Sequence, residues 1–332
     1  MDIKSVYLKD YSSLRIGGEG KLIEAQTPDE VMEAISYAKT ENLTLHILGE
    51  GTNSYFGEDL SNFLFLKLPR GGIEYKEEGE DVFVKAGANV IWDGVVQECV
   101  EKGLWGIENL SYIPGTVGAA PVQNIGAYGM ELSDVFVTLD AIDTETMERV
   151  VLTREDCQFG YRDSVFKYQK EKYIIVCITL KLSKTPKPVL IYKPLDELQT
   201  TNPTLLAIRK AVITIRTQKL PNYHEHPNAG SFFKNPVIDL ETSEMLKEKY
   251  PVMPLIQTVE GFKVPAAWLI EHIAEMKGVR IGDLGTWPKQ PLVLIQYGEA
   301  TADEVDAFAS DIRKKIGEAT GIVLDQEVNR VG

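Results

Sequence analysis

The stretch from Ser111 to Gly129, SYIPGTVGAAPVQNIGAYG, constrains this chain more than any other. It mixes Gly, Ala and Pro with side-chain amides and few charges, so it reads as backbone brought close to something large. Glycine permits dihedrals and approach distances that a side chain forbids, and Gln123 and Asn124 can both donate and accept hydrogen bonds. A buried flat ligand would suit such a stretch. The same composition would serve a Gly/Pro connection between strands, and residue chemistry leaves both readings open.

At 332 residues the chain is long enough for two or three domains, and 44% hydrophobic residues suffice to build their cores. The net charge of -14 argues against nucleic acid or an anionic membrane as the main partner, so any phosphate site must be local. Cys99, Cys157 and Cys177 are isolated, without metal-ligand spacing or a disulfide framework, and are expected in the core of a protein from a reducing compartment. No metal is expected. The N-terminus lacks an apolar signal segment, and no apolar run approaches the ~20 residues of a membrane span, so a cytoplasmic protein is expected.

In chain order, Lys21 to Gln26 reads as a strand. Thr27-Pro28-Asp29-Glu30 caps a helix with Val31, Ala34, Ile35 and Ala38 on one face, and Leu43 to Leu48 is the next strand. This strand-helix-strand unit runs into Gly49-Glu50-Gly51-Thr52-Asn53-Ser54. The loop opens like a dinucleotide fingerprint, but Ser54 stands at the third glycine and no helical stripe follows, which argues against a Rossmann unit. A run of backbone amides beside Thr52, Asn53 and Ser54 suits a pyrophosphate, and equally a tight turn between strands.

Ile73 to Ala88 reads as a hairpin, Asn89 to Glu101 as a helix, and Val135 to Thr153 and Lys172 to Leu182 as strands. A helix opened by Asn202-Pro203 ends near Arg216 to Pro221, where a domain boundary is expected. Beyond it stand a helix from Pro265 to Gly278, a strand over Leu292 to Gln296, a helix capped by Thr301 and Glu304 and closed by Gly321, and a last strand from Ile322 to Val328.

Several stretches, in this order and spanning nearly the whole chain, together resemble the UDP-N-acetylenolpyruvoylglucosamine reductase family. They are Ile47 to Asn53, Ile113 to Gly118, Gln123 to Gly129, Gly160-Tyr161-Arg162-Asp163-Ser164, Ala229 to Pro236 and the terminal Glu327. Pro188 to Leu195, with Tyr192, is similar to the subtype in which a tyrosine-bearing loop closes over the substrate. Ser12-Ser13-Leu14 depart from the family's Asn-Thr or Thr-Thr pair before Phe but keep the hydroxyls, and Gln296-Tyr297 stand where an Asn is common.

The resemblance implies an α+β fold of the vanillyl-alcohol-oxidase-like (PCMH-type) kind, with two FAD-binding subdomains and an α/β substrate-binding domain. The corresponding expectation is residues 1–70, residues 71–215 joined by a C-terminal strand at 321–332, and residues 216–320. It implies NADPH-dependent reduction of UDP-N-acetylenolpyruvoylglucosamine to UDP-N-acetylmuramate through non-covalent FAD, for peptidoglycan precursors, by a monomer. Gly49, Glu50, Gly51, Thr52, Asn53 and Ser54 would hold the pyrophosphate. Ile113, Pro114, Gly115, Thr116, Gly118, Ala119, Gln123, Asn124, Gly126 and Ala127 would line the flavin.

Arg162 would pair with the carboxylate of the developing enolate, a protonated Glu327 would assist, and Ser231 would deliver the proton. Tyr161, Tyr192, Lys219, Asn235 and Gln290 would bind substrate. An FAD-dependent oxidase on the same fold would often carry a covalent histidyl or cysteinyl flavin. His46, His224, His226 and His272 lie outside the flavin-lining motifs, which counts against it, and the joint presence of Arg162, Ser231 and Glu327 counts against a non-catalytic sensor.

Overall fold

The structure, a computed structural model, describes residues 1–332, the side chains of 200 and 201 aside. The chain divides into two units. One comprises Met1–Val6, Gly20–Glu50 and Ser61–Arg216; the other comprises Tyr7–Glu19, Gly51–Leu60 and Thr217–Gly332.

In the first unit, Thr27 caps the helix Pro28–Thr40 by accepting from the Glu30 N–H, and the helix buries Val31, Ala34, Ile35 and Ala38 as its spacing predicts. Its flanking strands, Glu19–Glu24 and Thr44–Ile47, are not neighbours: Phe63–Lys67 lies between them, parallel to both. Phe63–Lys67 is buried through its middle, as a central parallel strand must be. The other sheet is antiparallel, in the order Arg149–Thr153, Phe136–Asp143, Tyr173–Ser183, Asp81–Gly87, Ile73–Glu78. Trp92, Val95 and Val96 of the helix Trp92–Glu101 share one core with Val82, Val84 and Leu180 of this sheet and with Ile208 and Val212 of the helix Leu205–Lys219. The three cysteines are buried, and burial pushes the Cys99 and Cys157 thiols up to about 12, as for inert core groups.

The second unit packs the helix Ala302–Thr320 through Val305, Phe308, Ile312 and Ile316 onto a core that includes Phe232, Phe233 and Leu294. Phe232 to Lys234 is stitched on both sides, by the Phe232 N–H to Leu292 O and the Lys234 N–H to Asp325 O. The expected strand over Ile322 to Val328 does not form as a ladder; the C-terminal strand is Asn329–Val331, parallel to Ser54–Phe56. The terminal segment therefore joins Ser54–Phe56 in this unit and not residues 71–215. The helix opened by Pro265 is shorter than the expected span to Gly278: it runs Ala266–His272, and Glu275 beyond it adopts a left-handed φ of 54°, which no helix continues through. Leu240–Lys249 is a helix the sequence reading did not single out, since it buries only Ser243 and Leu246 and shows no apolar stripe.

Thr301 and Glu304 form a reciprocal capping box: Thr301 Oγ1 accepts from the Glu304 N–H at 3.2 Å and Glu304 Oε2 from the Thr301 N–H at 2.8 Å. Thr301→Ala is expected to cost ~1 kcal/mol and lower the Tm by about 2 °C in thermal unfolding. An unchanged Tm would show that the box contributes nothing.

Candidate active site

The central stretch of the first unit is fastened to the end of the hairpin strand. The Trp92 N–H donates to Gly115 O, Val117 N–H to Val90 O and Gly118 N–H to Ala88 O. The approach at Gly118 admits no side chain, since a Cβ there would lie 2.7 Å from Ala88 Cβ. A Cβ at Gly49 would lie 2.9 Å from Thr116 Oγ1, so two of the motifs meet within this unit. Asn124 departs from expectation. Its side chain is fully buried, donates to Glu131 Oε2 and Gly160 O at 2.8 and 3.0 Å, and accepts from the Ser133 N–H at 3.0 Å. Both hydrogens of its amide are therefore spent within the protein.

By those bonds Asn124 holds the turn that carries Arg162. Gly160 and Asp163 exchange backbone hydrogen bonds, and Arg162 sits at the turn's tip with φ 52°. Its guanidinium donates to Gly126 O, lies 4.0 Å from Glu131 Oε1 and stands 5.3 Å from the centre of the Tyr161 ring. A Cβ at Gly126 would come within 2.8 Å of Arg162 Nη1, so this glycine makes room for the guanidinium. The carboxylate beside Arg162 is thus Glu131 and not its chain neighbour Asp163. Arg216, which the sequence reading took only as a helix end, donates from Nε to Tyr112 O at 3.1 Å. Burial pulls its pKa down, partly opposed by Tyr128, Asp93 and Tyr112, while the nearby positive charge of Arg162 lowers it further.

Glu108, beneath the central stretch, is fully buried; its Oε2 accepts from the Gly106 N–H at 2.7 Å, and burial pushes its pKa up against that bond. Tyr192 is half-exposed, its ring edge-on to Tyr128 at 5.5 Å between centres.

Along Gly49-Glu50-Gly51-Thr52 the backbone N–H groups donate to no other group among the described residues. Gly51 has φ 61°, and a Cβ there would overlap Tyr11 O at 1.8 Å, so only glycine fits. The Ser13 N–H donates to Gly51 O and Ser12 Oγ to Ser54 O, which gives the two N-terminal hydroxyl residues a place beside this loop. Consecutive unspent N–H groups free of bulk have the donor chemistry a diphosphate requires, so the residues present fit the pyrophosphate of an FAD.

In the second unit, Ser231 pairs with Val293 in an antiparallel bridge, and the Glu327 N–H donates to Phe232 O at 2.8 Å. Asn53 Nδ2 donates to Glu327 O at 3.2 Å. These bonds set the backbones of Asn53, Ser231 and Glu327 in one neighbourhood. Glu327 is only partly buried within the chain. Lys219 is exposed at the last position of its helix. Asn235 Oδ1 accepts from the Ala266 N–H at 2.9 Å, so that oxygen caps a helix. Trp287, paired with Gln290, was missed by the sequence reading; Trp287 Nε1 and Gln290 Oε1 are buried and, among the described residues, without a hydrogen-bond partner. Two residues paired across the hairpin thus each keep one polar side-chain atom unspent.

Residues 221–331 match the model of the UDP-N-acetylenolpyruvoylglucosamine reductase C-terminal domain, and residues 21–150 that of an FAD binding domain. The chain is similar to the UDP-N-acetylenolpyruvoylglucosamine reductase of Pseudomonas savastanoi pv. phaseolicola, 40% identical over 331 residues, covering 98% of this chain and 97% of that one. It is also similar to those of Escherichia coli K12, 38% identical over 94% and 91% of the two chains, and Amoebophilus asiaticus, 43% identical over 87% and 88%. The crystal structure of UDP-N-acetylenolpyruvylglucosamine reductase from Thermus caldophilus shares the fold, with a TM-score of 0.69, 24% identity and full coverage of both chains. The α+β FAD-binding fold implied by the motifs is the fold of this chain.

Glu108 gives a test of the buried carboxyl. With its pKa raised in the folded state, its contribution to stability is full below the ordinary carboxylate range and is lost as pH rises through the folded pKa. Glu108→Gln keeps an acceptor for Gly106 and carries no charge, so its denaturation midpoint should exceed that of the parent at pH 8 and lose this advantage at pH 4. A constant difference between the two across that range would show that Glu108 does not titrate anomalously.

Proposed function

The chain belongs to the UDP-N-acetylenolpyruvoylglucosamine reductase family, and on that premise we propose how its residues divide the reaction. It is an FAD-dependent oxidoreductase that reduces UDP-N-acetylenolpyruvoylglucosamine to UDP-N-acetylmuramate with NADPH, in peptidoglycan precursor synthesis. The observation that carries this reading is the likeness of 38–40% to such reductases over nearly the full chain. FAD, when bound, carries a hydride from NADPH to the substrate.

The hydride arrives at the methylene carbon of the enolpyruvyl ether, and the electron pair of the double bond moves onto the adjacent carbon and its carboxylate. Arg162, a permanent cation with a forked donor set, meets the charge that develops on that carboxylate. Its contacts with Gly126 O and Glu131 support the role by pre-orienting the fork. Glu327, protonated, donates to the same oxygens, and Ser231 Oγ passes its proton to the carbanionic carbon, completing the lactyl ether. Lys219, Tyr192 and Asn235 bind the diphosphate, Tyr161 positions the substrate beside Arg162, and Gln290 reads the uridine. For Gln290 the support is its unspent buried oxygen beside Trp287.

The pyrophosphate of FAD rests on Gly49 to Ser54, which the unspent N–H groups support; the flavin is lined by the central stretch, with Asn124 acting through the loops it holds. We read the protein as a cytoplasmic monomer without nucleic-acid or membrane partners. The net charge of -14 weighs against polyanionic partners, and among the described residues no helix is long and apolar enough to cross a membrane.

The purified protein should be yellow and release intact FAD on denaturation. A colourless protein that takes up no added FAD would refute the cofactor assignment, and release of FMN would undercut the role of Gly49 to Ser54. Ser231→Ala should leave bleaching of the flavin absorbance by NADPH near its normal rate. Recovery on adding the enolpyruvyl substrate should slow by ~10²- to 10⁴-fold. Stopped-flow absorbance separates the two phases; slowed bleaching with intact recovery would move Ser231 to the nicotinamide site or to structure.

A further inference from the structure

Between Glu108 and Leu110 the chain makes a short helical turn buried under the central stretch, and Asn109 at its middle is 0% exposed. Asn109 is not among the residues to which the reaction assigns a part. Its Nδ2 donates two hydrogen bonds of 2.8 Å each, to Tyr128 O and to Val189 O, residues 19 and 80 positions along the chain. Its Oδ1 has no partner among the described residues. An unpartnered buried acceptor is costly, and turning the amide over would set that oxygen against two carbonyls, so the two donor contacts are what this position provides.

The two acceptors lie on the two backbone stretches that bring Tyr128 and Tyr192 together. Tyr128 itself meets the Tyr192 ring edge-on, and Val189 opens the segment in which Tyr192 stands. The same segment is held at further points. Leu190 and Leu195 are buried in the core of the unit, and Gln199 Nε2 donates to Leu190 O at 2.8 Å. Gly129 is close enough that a Cβ there would lie 3.1 Å from Ile191 Cγ1. Ile191 and Tyr192 themselves remain 76% and 50% exposed. The flanks are fixed while the ring between them stays available.

We propose that Asn109 is a positioning residue for substrate binding: by bonding both carbonyls it anchors the base of the Tyr192 segment on the central stretch, so that the tyrosine closes over the diphosphate of the UDP-sugar from a fixed flank. The inference rests on the assignment of Tyr192 to substrate and adds a residue that touches neither substrate nor cofactor. A fixed base lowers the ordering cost of closing the segment and acts on affinity more than on the chemical step.

The test is a double-mutant cycle of Asn109→Ala with Tyr192→Ala in the flavin-loaded enzyme, read as kcat and KM for UDP-N-acetylenolpyruvoylglucosamine. Asn109→Ala alone should raise KM about 10-fold with kcat within about 3-fold. In the Tyr192→Ala background it should change KM by less than about 2-fold, because the group it seats is gone. Gln199→Ala, an exposed change that removes the tether at Leu190, should raise KM in the same direction by a smaller factor and keeps the test open if Asn109→Ala does not fold.

Amide hydrogen exchange of wild type and variants supplies a readout independent of turnover: exchange over residues 188–194 should speed up, with the rest of the unit unchanged. A KM increase of equal size in both backgrounds would overturn the proposal, as would unaltered KM and exchange. If the parent enzyme fails to reduce the enolpyruvyl substrate, the functional reading falls, and the seating role is then decided by the exchange data alone.

Discussion

The side-chain amide of Asn124 is the interaction on which the surroundings of Arg162 in the first unit depend. A single fully buried group bonds to Glu131, Ser133 and Gly160, and so fixes the end of the central stretch, the carboxylate beside Arg162 and the turn that carries Arg162. Each such bond is worth ~1 kcal/mol net, but an unspent partner left behind in the interior costs more. The arrangement is therefore held as a set. Arg162 could not occupy its place without Gly126, whose missing side chain leaves the guanidinium room to reach a backbone carbonyl.

Cations in this acidic chain are localised by such pairing. Arg162 has Glu131, Arg209 makes a two-pronged contact with Asp93 at 2.6 and 2.9 Å, and Arg216 lies among Tyr112, Tyr128 and Asp93. Asp93 also accepts from the Tyr112 N–H at 2.6 Å, which ties the helix Trp92–Glu101 and the helix Leu205–Lys219 to the start of the central stretch. Each pairing offsets part of the cost of taking a guanidinium out of water, so the arginines are held in place inside the unit.

The elements legible in the sequence were those where a local rule is strong. The capping box at Thr301, the proline-opened helix after Thr27 and the apolar face of Trp92–Glu101 form where pattern and cap chemistry agree. The reading failed where tertiary pairing decides. Ile322 to Val328 looks like a strand, yet only the residues after it find a ladder partner; Leu240–Lys249 has too little apolar spacing to announce a helix and forms one with Asp239 as its cap. Glu131, Arg216, Trp287 and Asn109 carry no motif, and nothing in their local sequence says that the first two lie near Arg162, that the Trp287 donor is buried unspent or that Asn109 bonds a distant carbonyl.

By itself the sequence determined the class of protein: ordered motifs with glycines where backbone must come close, an arginine, a serine and a glutamate of suitable chemistry, and no charge surplus for polyanions. Glycine and cap signals act over a few residues, so they survive in a linear reading. The tertiary structure alone decided that Asn124 faces inward, that Phe63–Lys67 separates the strands of the opening unit, and that the last strand lies beside Ser54–Phe56. Those outcomes depend in part on partners tens to hundreds of residues away, and a hydrogen bond across that distance is selected by the packing of the whole unit and not by the residues at either end.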